Sequence, residues 1–321
     1  MVNGHGFGLD ADANIYLTYE TNHHKKEEDL AGNDHCLLQW TPDGLSPRFV
    51  NTSSNVCAGT PHGLTLSTEG FVEYMYHANN DQRLTKTFLN GTMVWQTLGL
   101  IDGSSSEYRP TWMAVPPHGP YIYLCDGYGS NFVYLMDRQS GHYLKQKWGG
   151  RGEAHGQFAT NHGCVYDPVH DQIVVADREH GRLEYYDYYH HAENNNNNNI
   201  NNNTYGVFSY SHSTDMRHGP STPGYHEDSR PCILRRQPQQ SDLAAVPDLT
   251  GTVQILDEHN TVVSIVNVSG ALGHLGHLHP HDAQILPNGD LIVATWNPGR
   301  VSYWKRISKD DEKNWQSAML R

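Results

Sequence analysis

A strand–turn–strand pattern headed by a histidine recurs along this chain, and it constrains the fold more than any other feature. His5 opens HGFGLD, His62 lies in PHGLTL, His162 in NHGCVY and His281 in PHDAQI. Each is followed by a short apolar stretch, a turn (DADAN, STEG, DPVHD or PNGD) and a second strand, NIYLTYE, FVEYMY, QIVVAD or LIVATW. Such a unit cannot bury its apolar face alone, so the copies must pack against one another. In a radial arrangement equivalent positions converge on one axis, where the histidines could share a metal ion.

Alternation and turn punctuation divide the chain into six units of roughly fifty residues, with no convincing amphipathic helix. The third unit carries RPTWMAV, YIYLCDGYGS and FVYLMDRQSGHYLKQKWG, the fifth RPCILRR, DLAAVPD and TVQILDEHNTVVSIV. The expectation is an all-β fold. An asparagine-rich tract at about residues 192–204 cannot contribute apolar burial and reads as a disordered loop inserted between units four and five, not as a domain boundary. The tail KDDEKNWQSAML is compatible with closing the last unit or with projecting from it.

Composition narrows the function. A hydrophobic fraction of 37% and an aromatic content of 10% suit a β-rich globular chain. No apolar run is long enough to cross a bilayer. The formal net charge of −13, with no Lys/Arg cluster, argues against a nucleic-acid partner. Twenty-two histidines make the charge sensitive to pH near neutrality. The five cysteines form no CxxC pair or zinc-finger spacing, and Cys125 and Cys164 read as small core residues rather than a disulfide. Sequons at Asn51, Asn90, Asn202 and Asn267 matter in a secretory compartment, and no hydrophobic signal segment occupies Met1–Gly8.

The loop WGGRGEAHGQF and the repeat pattern resemble NHL-repeat six-bladed β-propellers over nearly the whole chain. Within that class, PHGLTL, DGY in YLCDGYGS, NHGCVY…IVVADREHGRLEYY and PHDAQILPNGDLIV follow the order seen in the peptidyl-α-hydroxyglycine α-amidating lyases. The resemblance implies one propeller spanning residues 1–321, a fold of four-stranded blades around a central channel. It also implies an axial zinc, or another divalent transition metal, on His62, His162 and His281. Three neutral imidazoles leave the open position of a catalytic site. Tyr128 is implied as the catalytic tyrosine, acting as a base if the metal and Arg178 lower its pKa from about 10, and Arg178 as the catalytic arginine. A structural calcium is implied on Asp282 with the backbone carbonyls of Phe7 and Leu64. The blander alternatives are a channel-wall role for Tyr128 and an ion pair of Arg178 with Asp177 or Glu179.

Two departures bear on function. Glu20 falls where those lyases have a second active-site arginine, so a carboxylate there is expected to repel an anionic substrate, giving weak turnover that Glu20→Arg would improve. Gly129 replaces a cysteine after DGY, removing one implied disulfide. His5 stands at a repeat position with no ligand in that family and is a candidate fourth ligand; the HLHPH run adds His277 and His279, of which alternation puts His279 on the same side as His281, so that His279 is expected to reach the channel mouth. Three readings follow: a metal-dependent lyase cleaving a hemiaminal to an amide and a glyoxylate-like aldehyde, a secreted non-catalytic propeller with a structural metal that binds protein partners or self-assembles, and a four-histidine redox metalloenzyme. The expected substrate is a peptide or small molecule.

Overall fold

The computed structural model describes residues 3–20, 35–42, 47–99, 101, 108–188, 209–217, 228–237, 242–273 and 278–306. The asparagine tract, Asn202, His277 and the tail beyond residue 306 lie outside them. The described residues form six antiparallel sheets, each a meander of neighbouring strands, arranged as the blades of a β-propeller. Blades 1 to 5 have four strands and blade 6 has three among the described residues. They cover residues 3–49, 61–98, 112–149, 161–215, 235–267 and 280–304. Helix is confined, among the described residues, to Ser54–Cys57, Val268–Leu272 and the 3-10 turn Arg178–His180. None of the described helices is long and apolar enough to cross a membrane.

The four turns named from the sequence each join the first strand of a blade to its second: Asn3–Leu9 to Ile15–Glu20, Pro61–Glu69 to Val72–Asn79, Asn161–Asp167 to Gln172–Asp177, and Pro280–Ile285 to Leu291–Thr295. Asp10 shows the turn chemistry: its Oδ1 accepts from the backbone N–H groups of Asp12 and Asn14, a side-chain turn that frees the residues between to bend.

Second strands such as Gln172–Asp177 are buried along their whole length because blades cover both faces. The cores lie between blades. Tyr16, Leu37, Leu64 and Met75 fill the gap between blades 1 and 2. Trp112, Tyr123, Cys164, Val175 and Ile233 run through blades 3, 4 and 5. Phe7 and Leu17 meet Ile292 and Ala294, so the first and last blades close the ring through apolar packing. Cys125, Cys164 and Cys232 are buried free thiols, whereas Cys36 and Cys57 form a disulfide that the sequence reading did not pick out.

Candidate metal centre

Each of the four repeat histidines sits on a β-bulge. The pairing of first and second strands slips between Gly4 and Phe7, Pro61 and Gly63, Asn161 and Gly163, and Pro280 and Asp282, around His5, His62, His162 and His281. A bulge inserts one residue and re-aims its side chain; here all four imidazoles turn toward the channel. The glycine after three of them lets the backbones of successive blades touch. A Cβ on Gly63 would lie 2.4 Å from the Thr111 carbonyl oxygen, and one on Gly163 2.4 Å from that of Cys232.

The rings form one cluster. Centroids of His62 and His281 are 4.7 Å apart, both are 4.7 Å from His5, and His162 lies 4.9 and 4.7 Å from them. In three histidines the protonated nitrogen is fixed by the next blade. His62 Nδ1 donates to the Thr111 carbonyl (2.9 Å), His162 Nδ1 to that of Cys232 (2.9 Å) and His281 Nδ1 to that of His5 (3.3 Å). A carbonyl only accepts, so Nε2 carries the lone pair in each. Blades 2, 4 and 6 thus supply imidazoles while blades 3, 5 and 1 supply the carbonyls that orient them.

His5 is held differently: its Nε2 lies 2.8 Å from Glu20 Oε1, and Asn3 Nδ2 donates to Glu20 Oε2 at 2.8 Å. Glu20 thus has partners inside the protein that the sequence does not reveal. Its carboxylate is engaged in orienting His5 and leaves His5 Nδ1 facing inward, the carboxylate–histidine arrangement that supports metal ligands. The position is set by strand pairing, since Asn3 and Glu20 are register partners.

His5 Nδ1, His62 Nε2 and His281 Nε2 are buried with no hydrogen-bond partner, and lie within 4.8 Å of one another. Three orphaned lone pairs at one point are costly unless a cation satisfies them, so the residues fit a nitrogen-bound metal such as zinc. His162 differs: Tyr128 Oη donates to its Nε2 at 3.0 Å. Burial first, then neighbouring His5 and His162, hold the pKa of His62 well below the usual histidine range. Burial and then Arg178 do the same for His162, and burial with the other three histidines for His281. All three stay neutral, the form that binds a metal.

Tyr128 and Arg178 are brought to this cluster. Arg178 Nη1 donates to Tyr128 Oη at 3.1 Å, its Nε to Glu179 Oε1 at 2.9 Å, and its guanidinium lies 5.3 Å from the Tyr128 ring centre. The ion pair with Glu179 and the contact with Tyr128 coexist, while Asp177 instead holds Arg182 and His180. Burial raises the Tyr128 pKa, and Arg178 offsets only part of that rise. In this arrangement the tyrosine is a protonated donor. A cavity of about 370 Å³ reaches His5, His62, His281, Tyr128 and Arg178, with Glu20 and Trp296 in its wall. His279 packs against Trp296, 5.8 Å between ring centres, outside the histidine cluster.

Asp282, Phe7 and Leu64 also converge, but the group among them is the guanidinium of Arg235, a residue the sequence reading did not single out. Arg235 Nε donates to Asp282 Oδ1 at 3.0 Å, and Nη2 to Asp282 Oδ2 at 2.6 Å, the Phe7 carbonyl at 2.8 Å and the Leu64 carbonyl at 3.1 Å. The oxygens implied for calcium are therefore occupied by N–H donors. Nothing in RPCILRR marks this arginine, whose role depends on three other blades.

Fold and site together define a six-bladed β-propeller with a buried histidine cluster on its axis. No family model matches the chain. It is similar to "Peptidylglycine alpha-amidating monooxygenase" of Rattus norvegicus, 30% identical over 136 residues, which is 39% of this chain and 13% of that protein. "Peptidyl-glycine alpha-amidating monooxygenase" of Mus musculus matches at 29% over 131 residues, 39% of this chain and 13% of that protein. "Peptidyl-glycine alpha-amidating monooxygenase A" of Xenopus laevis matches at 29% over 204 residues, 56% of this chain and 21% of that protein. The matched stretches are thus a small part of each relative's length. Among solved structures, the Myceliophteria_thermophila Cps50 (Swd1) β-propeller domain superposes with a TM-score of 0.55 at 8% identity, covering 95% of this chain and 83% of that one. That likeness concerns the fold alone.

Proposed function

We propose that this chain is a metal-dependent carbon–nitrogen lyase of the amidating type, acting on a hemiaminal such as a peptidyl-α-hydroxyglycine. The observation that carries the proposal is the meeting of partnerless imidazole nitrogens with the Tyr128–Arg178 pair on one cavity. The partial similarity to amidating enzymes supports the same direction.

His62, His162 and His281 are the proposed principal ligands, each pinned by the next blade, with His5 as a fourth backed by Glu20. A divalent ion there, zinc or a related transition metal, would supply positive charge and Lewis acidity. An ion drawing on His162 Nε2 would take the place of the Tyr128 hydrogen bond there and leave Tyr128 held through Arg178 at the cavity wall. Burial holds Tyr128 protonated against the partial pull of Arg178, so its phenolate form would require the added positive charge of a bound ion; in that form Tyr128 would take the substrate hydroxyl proton, the C–O bond becoming a carbonyl, the C–N pair passing to nitrogen and the proton held by Tyr128 completing the amide. The other Arg178 donors orient a substrate carboxylate. Because Glu20 is committed to His5, it does not act as a free anion against that carboxylate.

The test is an assay of purified protein on a peptidyl-α-hydroxyglycine, following amide and glyoxylate together. Turnover is expected from the wild type, with kcat lowered by about 10²–10⁴ in Tyr128→Phe, the span of a lost acid–base group. Wild-type protein carrying its metal and inert on this substrate would discard the lyase reading. The inclusion of His5 in the cluster favours one second reading, a four-nitrogen redox site. Elemental analysis showing zinc without iron or copper eliminates it. The Cys36–Cys57 disulfide supports the proposed secretory setting, in which the exposed Asn51, Asn90 and Asn267 would be open to glycosylation.

A further inference from the structure

We propose that Arg235 is a built-in cation occupying the position at which propellers of the resembling family hold calcium, so that this chain closes its ring without a calcium ion and acquires a calcium site when the guanidinium is removed. The inference concerns the Asp282 side of the channel and stands whether or not the lyase reading holds.

Both oxygens of Asp282 are saturated by protein donors. Oδ1 accepts from Arg235 Nε and the Ala283 N–H (2.8 Å), Oδ2 from Arg235 Nη2 and the Phe7 N–H (2.6 Å). The two-point contact of guanidinium with carboxylate is a geometry only arginine provides. The remaining reach of Nη2 goes to the Phe7 and Leu64 carbonyls. Calcium requires six to eight oxygens at about 2.3–2.6 Å, and here the three protein sources of those oxygens already face N–H groups. A dication added beside the guanidinium would also meet a like charge in a buried place.

The placement explains why a cation belongs there. Arg235 is on the innermost strand of blade 5, while Asp282 is on blade 6, Phe7 on blade 1 and Leu64 on blade 2. One side chain therefore ties four blades, and its contacts cross the seam where blade 6 meets blade 1. The guanidinium carbon also lies 5.0 Å from the ring centre of Trp112, from blade 3. Asp282 is fully buried, and burial pushes its pKa up against the opposing pull of Arg235, so the carboxylate needs a compensating charge.

The experiment uses the whole chain stripped of metals, with thermal melts and Trp-sensitised terbium luminescence before and after adding calcium or terbium alone. Trp112 is the donor that would report an ion in place of the guanidinium. Wild-type protein is expected to show no calcium-induced rise in Tm and no saturable terbium signal from this site. Arg235→Ala should melt several degrees lower, recover most of that loss in millimolar calcium, and give one-to-one terbium luminescence that Asp282→Asn abolishes. Arg235→Gln, which keeps bulk but not charge, repeats the comparison if the alanine variant folds poorly. Wild-type protein stabilised by calcium through Asp282 would overturn the replacement. Variants that remain destabilised or unfolded whether or not calcium is added would overturn the latent site.

Discussion

His5 and Glu20 show how one residue's meaning changes with its partner. Read along the strand, Glu20 is an anion where a cation was expected; read across the sheet, it is the acceptor that fixes His5. Glu20→Gln should keep the fold and weaken metal binding by about 10–100-fold, the usual effect of losing such support, measured by competition with a chromophoric chelator. Glu20→Arg should weaken it at least as much and give no gain in turnover; a rise in turnover would restore the idea that Glu20 repels substrate. The histidines were legible because their repeat phase is written in the spacing of HGFGLD, PHGLTL, NHGCVY and PHDAQI. Glu20's role was not, because it arises from the pairing of Asn3 with Glu20, and no motif records a register. Arg235 was hidden for the same reason on a larger scale: its four contacts come from three blades distant in sequence.

At the scale of the element, the innermost strand does the positioning. Its bulge turns the histidine inward, and the following glycine allows the neighbouring blade close enough for its carbonyl to hold the ring. Six strand-rich units and their turns were readable from alternation; the bulges were not, since an extra residue in one strand is visible only against its partner. Gly63→Ala tests the coupling. The added methyl meets the Thr111 carbonyl and the Trp112 backbone, so overpacking should cost about 1–3 kcal/mol. It should also lower metal affinity by displacing Thr111 from His62 Nδ1. Equilibrium denaturation and metal titration on the same sample check both, and an unchanged affinity alongside lost stability would separate the bulge from the site.

For the whole molecule, burial of neutral histidines sets an acid limit. Burial lowers His77 to about 3, and His62, His162 and His281 are displaced in the same direction. Below the ordinary histidine value of about 6.5 the unfolded chain takes up protons that the folded chain refuses, so stability rises with pH in that window and is lost as pH falls, toward about 3 for His77. Each such group contributes up to about 1.4 kcal/mol per pH unit. Metal-free protein should therefore lose stability steadily between pH 6 and 4, and His77→Leu should flatten part of the slope in urea denaturation; a slope unaltered by that change would assign the effect elsewhere. Ring closure has a kinetic counterpart. The nitrogen that orients His281 rests on the backbone of His5, so the join between last and first blades runs through the ligand set itself. Any breathing of the ring at that join would loosen a bound ion before a single blade unravels. With excess chelator present, the rate at which the protein surrenders its metal would count the openings of the circle.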